Sequence, residues 1–552
     1  MTVSQFFNSK ANSITLAAGL LFFSALLSRM LGLLRNALLS WRFGAGEETD
    51  IYLAAFRIPD FLYGIIVLGG LTAVFLPLFS EYMEKDAKEA WRFASNLLNV
   101  LGGALLVLAV GAFVFAPALV HVVAPGFSSA QQEQTMGLMR LMLLSPLLFG
   151  ISSVFSGILQ YFNKFLAYSI TPILYNLGIV IGIVFLSPAF GVWGLGLGVV
   201  LGAFMHVLIQ VPPAIASGFR WNAVLNFRHP SLLRVARLTI PRTVAAAGYH
   251  INLIIMTALA SVFAVGSITR FTYANDIQFV PVGLIGISFA VAAFSSLSKL
   301  FAQKKEEEFT RIVASTLRQI LFLVIPFSIL LLLLRAQAIR LIYGTGTEFT
   351  WEDTRMTAAI LGIFAFGIVF QSLIPYFARV FFAFQNTKTP TIISLVSVGL
   401  NVVFAFLFTI FLSNGHTIEF WLRTLLKLEG VEDIRVLALP LSLVLSGILQ
   451  AGLLGVFLQK RYNTLRDGLM KALFNICIAS VALAGAAYIA LRVYGTIFPL
   501  ENYLQVFMQA GFAAGAGVIA YIAVAFLLGI PEMLAVWQRV QDKAPFLLRK
   551  FW

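Results

Sequence analysis

The chain has 552 residues, of which 60% are hydrophobic and only 11% are charged, and its formal net charge is +14. Soluble domains carry about 25% charged residues, so this composition excludes a string of soluble domains and indicates one integral membrane unit. The basic residues do not cluster on a soluble face, which argues against nucleic-acid binding. The single cysteine, Cys477, excludes an internal disulfide and a multi-cysteine metal site.

Apolar stretches of membrane-spanning length recur from one end of the chain to the other. Because a bilayer offers no partners for backbone polar groups, and because these stretches exceed the length of barrel strands, we expect helical spans. Counting the stretches between polar breaks predicts an all-α membrane protein with about fourteen transmembrane helices. Their approximate bounds are 14–42, 51–80, 93–123, 135–162, 166–188, 191–217, 234–264, 268–299, 310–343, 354–384, 389–413, 436–459, 468–493 and 504–529.

The first predicted span contains two arginines within the segment Ser28-Arg29-Met30-Leu31-Gly32-Leu33-Leu34-Arg35. An arginine at bilayer depth costs a few kcal/mol or more, so such residues usually face a water-filled cavity or bind an anion. Arg29 and Arg35 are about 9 Å apart along the helix axis and about 120° apart around it, so both can border one broad cavity. The alternative is that one of them extends to an interface. Arginine suits a diphosphate because its planar fork donates parallel hydrogen bonds and stays charged.

The second predicted span places a cation and an anion around a proline, with Arg57 before Pro59 and Asp60 after it. Proline frees a backbone carbonyl and kinks a helix. Two interpretations stay open at this point. One is a cavity-facing hinge that carries a cation, and the other is an Arg57–Asp60 pair near the outer interface.

Basic residues fall on alternate loops of the chain, including 85–92, 220–237 and 299–318, whereas the opposite loops near 46–50 and 348–353 are mostly acidic. Membrane proteins concentrate Lys and Arg in cytoplasmic loops, so both termini are predicted to be cytoplasmic. The outer loop 414–435 is an exception that carries mixed charges. Its apolar pattern predicts a short amphipathic helix on the outer surface, formed by Ile418, Trp421, Leu422, Leu425 and Leu426.

An internal repeat relates the two halves of the chain. Phe43-Gly44-Ala45-Gly46 resembles Phe263-Ala264-Val265-Gly266, and two further pairs of segments match at an offset of about 220 residues. The prediction is an N-lobe at 1–218 with helices 1–6, a C-lobe at 219–462 with helices 7–12, and helices 13 and 14 with a tail at 463–552. Two parallel lobes of this kind enclose a central cavity that opens to either side, as alternating access requires.

Enzyme chemistry is not expected. The chain has no Walker-type phosphate loop, no nucleophile elbow and no HExxH segment, and its five histidines lack the spacing of metal ligands. We therefore expect no catalytic residue, no cofactor and no metal site.

The ordered motifs of the chain resemble those of the MurJ/MviN family of lipid II flippases, within the group of multidrug and oligosaccharidyl-lipid exporters. The resemblance covers most of the chain. It rests on Ser28-Arg29-x-Leu31-Gly32-x-x-Arg35, Phe43-Gly44-Ala45-Gly46-x-x-x-Asp50, Ala55-Phe56-Arg57-Ile58-Pro59, Ala124-Pro125-Gly126-Phe127 and the segment from Ala378-Arg379 to Thr389-Pro390.

The resemblance implies a fold of fourteen helices in two lobes, in the bacterial cytoplasmic membrane. It also implies a substrate, an undecaprenyl-pyrophosphate-linked disaccharide-pentapeptide, which is moved from the inner to the outer leaflet for peptidoglycan assembly. Membrane lipids and proteins of cell-wall synthesis and division are the further partners it suggests. The residues that match the family's substrate-binding positions are Ser28, Arg29, Arg35 and Arg57, and Asn36 and Asp50 match further family positions. The set assigned to gating or cavity charge is Asn36 and Asp50 together with Asp60, Arg242 and Asp276, which are singled out from the sequence itself.

The chain also departs from the family pattern. Tyr63-Gly64 stands where the family has a basic pair, and Asp276 stands where it has a helix 8 arginine. One hypothesis is that Asp276 pairs with a helix 1 arginine until substrate phosphate displaces it. Another is that Arg242 replaces the lost arginine. The alternatives to a lipid II flippase are an exporter of another lipid-linked glycan or a drug, and a non-transporting scaffold of the cell-wall machinery.

Overall fold

The computed structural model describes residues 14–65, 71–413, 417–462, 468–498 and 502–548, and the regular secondary structure of these residues is entirely helical. Fourteen helices, numbered α1–α14, follow one another along the chain, and several of them are broken into shorter segments. They are α1 (Ile14–Phe43), α2 (Glu47–Tyr63 and Leu71–Lys85), α3 (Ala87–Val114 and Ala116–Val123), α4 (Ser129–Met142 and Leu144–Tyr161), α5 (Phe165–Ile181 to Ser187–Phe190), α6 (Val192–Leu208 and Val211–Ala216), α7 (Pro230–Ser261), α8 (Ser267–Pro281 to Ser288–Ala302), α9 (Glu306–Leu333 and Arg335–Tyr343), α10 (Trp351–Ala383), α11 (Lys388–Ser413), α12 (Ala438–Tyr462), α13 (Leu469–Ile497) and α14 (Tyr503–Leu527).

The described part of each of the fourteen predicted spans overlaps one of these helices, and the predicted all-α membrane fold is confirmed. Twelve helices of the described residues are long and apolar enough to cross a membrane. The two that fall outside this set are α2 and α7. The described part of α2 consists of two shorter segments, and the described part of α7 contains a shorter apolar helix, Ala247–Ser261.

The short helix predicted in the outer loop is present as Thr417–Leu426. Phe420, Trp421 and Leu425 are exposed on it, whereas Arg423 forms an ion pair with Glu419 one turn earlier, at 2.8 Å. An exposed apolar face of this kind suits a membrane interface. The side chain of Ile418 lies outside the described residues. A further helix, Pro531–Leu548, follows α14.

Contacts divide the chain into two compact units. Unit 1 comprises Met1–Thr269 with Gly346–Phe349, and unit 2 comprises Arg270–Thr345 with Thr350–Trp552. The helix α7 is therefore grouped with α1–α6, whereas the repeat in the sequence predicts a lobe boundary after residue 218. Compactness and internal similarity are different criteria, and the repeat boundary stays a prediction.

Unit 1 contains a core of aromatic side chains between the second segment of α2, α3 and α4. Phe75 stacks on Phe79 and on Phe93, with ring centroids 5.1 and 5.7 Å apart. The ring of Phe75 fits against Gly157 of α4, where a Cβ would lie 2.3 Å from it. A glycine at this position therefore permits the close approach of α4 to the stacked rings.

Unit 2 is organised around α10, most of whose residues are buried. Its first turn is closed by a capping box between Thr350 and Asp353. Asp353 also forms a salt bridge with Arg270, with an N–O distance of 2.7 Å, and both side chains are nearly buried. A buried charge is tolerated when it is paired and hydrogen-bonded, and this pair meets both conditions.

Candidate substrate-binding site in unit 1

Arg35 of α1 is held by two asparagine side chains. Its Nε donates to Oδ1 of Asn36 at 3.0 Å, and its Nη1 donates to Oδ1 of Asn176 on α5 at 3.3 Å. Asn36 is buried, whereas the arginine is half-buried. The guanidinium is thus fixed within a membrane span by amide groups from two helices, in an orientation set by hydrogen bonds.

Asn176 also reaches the predicted residue Ser28. Its Nδ2 lies 3.3 Å from Oγ of Ser28 and 3.0 Å from the carbonyl oxygen of Pro172. One amide therefore joins Ser28 and Arg35, two of the four predicted substrate-binding residues. The third, Arg29, lies on an exposed part of α1.

Arg57 of α2 points toward α7. Its Nε donates to Oγ1 of Thr257 at 2.7 Å, and that hydroxyl in turn donates to the carbonyl oxygen of Leu253 at 2.9 Å. The fourth predicted substrate-binding residue is thus positioned by a polar side chain that the sequence analysis did not single out.

Asp60 lies one turn after Arg57 on the first segment of α2. His250 of α7 is buried, and its ring occupies the space beside Gly64, where a Cβ would lie 1.9 Å from Nε2. The two sequence interpretations of Arg57 and Asp60 stay predictions. Arg57 contacts the neighbouring helix α7 through Thr257.

Asp50 is buried and lies against the N-terminus of α8. Its carboxylate accepts hydrogen bonds from the backbone N–H of Gly266 at 2.7 Å and from the N–H and hydroxyl of Thr269 at 2.9 and 2.6 Å. A carboxylate at this position satisfies the unpaired N–H groups of a helix start and interacts well with its dipole. The contacts of the acid that the sequence analysis assigned to gating are those of a helix cap.

The two charges singled out in the second half of the sequence occupy different places. Arg242 lies on α7, and its side chain is outside the described residues. Asp276 lies on α8 in unit 2 and is half-buried. The two hypotheses about these residues remain predictions.

Sequence reasoning missed three polar residues of α7. Thr243 donates to the carbonyl oxygen of Ile65 at 2.9 Å, and Thr257 and His250 contact α2 as described above. The signal was available, because positions 243, 250 and 257 recur every seven residues and so share one face of a helix. In the sequence analysis this histidine was considered only as one of five that lack the spacing of metal ligands.

The family model described as lipid II flippase MurJ matches residues 39–508 of the chain. The chain belongs to the MurJ family of lipid II flippases. A probable lipid II flippase MurJ of Buchnera aphidicola subsp. Acyrthosiphon pisum is 30% identical over 387 residues, covering 68% of this chain and 74% of the relative. A probable MurJ of Rhizobium meliloti is 26% identical over 535 residues, covering 94% of both.

Solved structures agree with the MurJ fold. A lipid II flippase MurJ in an inward closed conformation aligns with a TM-score of 0.73 at 24% identity, covering 92% of this chain and 98% of that one. An inward-facing multidrug transporter of the MATE family aligns with a TM-score of 0.59 at 16% identity, covering 80% and 96%. These likenesses concern the fold.

Proposed function

We propose that this chain moves lipid II from the inner to the outer leaflet of the bacterial cytoplasmic membrane by alternating access, and that it has no enzymatic activity. Membership of the MurJ family supports the substrate. The observation that carries the proposal is the guanidinium of Arg35, held within a membrane span by Asn36 and Asn176.

In this proposal Arg35 and Arg57 bind the diphosphate, and Ser28 and Arg29 contribute polar contacts along α1. Diphosphate oxygens accept the parallel hydrogen bonds that a guanidinium donates, and the two groups attract each other more strongly out of bulk water. The contacts from Asn176 and Thr257 hold the two arginines in place before substrate arrives. Positioning of this kind reduces the ordering cost of binding.

The membrane potential is the driving force that we propose. Moving one elementary charge through a potential of 100 mV is worth about 2.3 kcal/mol. The cytoplasmic side of a bacterial membrane is electrically negative, so outward movement of an anionic lipid is favoured. The alternate basic loops support an orientation in which both termini are cytoplasmic. Surrounding lipids and the proteins of cell-wall synthesis and division are the partners that we propose beyond lipid II.

Complementation tests the proposal. A strain that depends on a conditional lipid II flippase is supplied with this chain, and growth is measured when the resident flippase is switched off. We expect the natural sequence to restore growth and Arg35→Ala to abolish it. We expect Arg35→Lys to restore growth only in part, because an ammonium keeps the charge but loses the planar fork.

The matched control is Arg42→Ala, which removes an exposed arginine from the last turn of the same helix and should leave growth intact. Membrane levels of each variant are measured in parallel. Growth at the natural rate with Arg35→Ala would favour a scaffold over a flippase. Transport of a different lipid-linked glycan but not of lipid II, by the purified protein in liposomes, would redirect the substrate.

A further inference from the structure

A pocket of about 740 Å³ opens in unit 2 where α8, α9, α10 and α12 end or begin. Its size is that of a small-molecule site. The basic residues Lys304, Lys305 and Arg461 line it together with the rings of Phe301, Phe309 and Phe382. The pocket lies outside the arginine site of unit 1 and plays no part in the proposed transport chemistry.

The end of α8 is closed by backbone hydrogen bonds of Lys304 and Lys305, and their side chains take no part in those bonds. The backbone N–H of Lys305 donates to the carbonyl oxygen of Leu300, and that of Lys304 donates to Phe301, at 3.1 and 3.0 Å. These two bonds form the turn that commonly ends helices, in which glycine is preferred at the left-handed position. Lys304 occupies that position with a φ of 56°. Lys304 therefore occupies a position at which the backbone conformation favours glycine.

Arg461 is presented to the pocket in a fixed plane. Its guanidinium lies over the ring of Phe384, 4.9 Å from the centroid. Stacking on an aromatic face occupies the flat side of a guanidinium and leaves its N–H groups directed sideways. Lys305 also forms an exposed ion pair with Glu308 at 3.2 Å, which reduces its own contribution to the charge of the pocket.

In unit 1, side chains of the chain itself pack at the end of α4, which corresponds to the end of α10 at the pocket. The helix α4 ends, like α10, in a residue of left-handed conformation, Asn163 in the first case and Gln385 in the second. The next residue of unit 1, Lys164, is buried and donates to the carbonyl oxygen of Pro213 at 2.9 Å. Trp91 packs against the rings of Phe162 and Phe219, each 5.9 Å away. In unit 2 the residue after Gln385 is Asn386, which bonds Thr389, and the space beside this end of α10 forms the pocket that Lys304, Lys305 and Arg461 line.

We propose that the pocket binds the phosphate of an anionic phospholipid headgroup. The segment 299–318 is rich in basic residues, so the proposed orientation puts the pocket at the cytoplasmic leaflet, where basic clefts between helix ends attract such headgroups. The phenylalanine rings contact the glycerol and the first methylene groups. Glu306 also lines the pocket and disfavours a multiply charged anion. A headgroup with a single negative charge, as in phosphatidylglycerol, fits best.

Lipid retention by the purified full-length protein tests this proposal. The protein is exchanged into detergent with phosphatidylglycerol, phosphatidylcholine or neither, and bound lipid is counted by native mass spectrometry. We expect preferential retention of phosphatidylglycerol and a decrease of about tenfold or more in Lys304→Gln/Arg461→Gln. The control pair Lys299→Gln/Lys460→Gln removes the same charge from exposed neighbours that do not line the pocket, and should change retention less than about twofold.

A third variant separates binding from structure. Lys304→Gly places the preferred residue at the left-handed position, so we expect thermal stability to be kept or raised while retention falls. Equal losses in the pocket pair and the control pair, or full retention in Lys304→Gly, would overturn the proposal. So would equal retention of phosphatidylcholine. Displacement of phosphatidylglycerol by millimolar inorganic phosphate alone would assign the pocket to a soluble phosphate and overturn the lipid assignment.

Discussion

At the scale of single residues, Asp50 is predicted from the sequence as a functional acid, and in the structure its carboxylate binds backbone N–H groups. Its carboxylate accepts three hydrogen bonds from Gly266 and Thr269 and so connects the start of α2 to the turn between α7 and α8. The sequence identifies the acid but not its partners, because the partners lie more than 200 positions away. Loss of this residue should therefore act through stability before it acts through substrate.

We expect Asp50→Ala to lower the unfolding temperature of the purified protein by about 2–5 °C, since two buried backbone N–H groups lose their acceptor. Thermal unfolding in detergent measures the change. Asp50→Asn should have a smaller effect because one oxygen remains. Glu48→Ala removes an exposed acid from the same helical turn and should leave the unfolding temperature unchanged. A stable but inactive Asp50→Ala protein would return this residue to a gating role.

At the scale of elements, α2 and α7 form an antiparallel pair with polar contacts along its length. Arg57 contacts Thr257, and the ring of His250 packs against Gly64. The carbonyl oxygen of Ile65 accepts a hydrogen bond from Thr243. The end of α2 and the start of α7 are joined by Tyr82 and Ser231, whose hydroxyl oxygens are 2.5 Å apart, and by Arg234 and Glu81 at 3.5 Å. A hydrogen bond from Lys85 lowers the pKa of Glu81 and keeps its carboxylate charged near this end.

Close approach of α2 and α7 depends on the glycine at position 64. We expect Gly64→Ala to reduce lipid II flipping, because the added Cβ would overlap the buried ring of His250 on α7, the helix that holds Arg57 through Thr257. Flipping by the protein in liposomes and thermal unfolding are measured together.

The control for this change is Gly102→Ala, since a Cβ at Gly102 meets nothing within 4 Å. The stability loss of Gly64→Ala should be larger in the natural background than in His250→Ala, where the ring is gone. Equal losses in the two backgrounds would show that the glycine and the histidine do not interact.

At the scale of the whole molecule, the sequence predicts the helices well because span length and hydrophobicity are local properties. The described parts of all fourteen spans overlap helices, and the outer-loop helix Thr417–Leu426 is present. The grouping of α7 with unit 1 was not predicted, since contacts between distant segments decide it. Arg35 and Arg57 could be identified because they lie in local sequence motifs. Their contacts with Asn176 and Thr257, and the contact of His250 with Gly64, could not be predicted, because these residues are far apart in the sequence.

The orientation of the molecule can be tested with its single cysteine. In a Cys477→Ser background, we expect Glu429→Cys to react with a membrane-impermeant maleimide on intact spheroplasts. We expect Arg228→Cys to react only after the membrane is permeabilised. Both positions are exposed, so access to the reagent is decided by the side of the membrane. Labelling of Arg228→Cys in intact spheroplasts would reverse the proposed orientation.

The hydrogen-bond partners of Arg35 have a consequence for turnover. Both Asn36 and Asn176 are neutral amides, so transferring the guanidinium from them to a phosphate breaks no hydrogen bond to a carboxylate. A carboxylate in their place would compete with every incoming substrate and hold the cation more tightly in the empty protein. In the proposed transport cycle, uncharged partners thus keep the arginine ordered at rest and let it exchange their amide oxygens for phosphate oxygens.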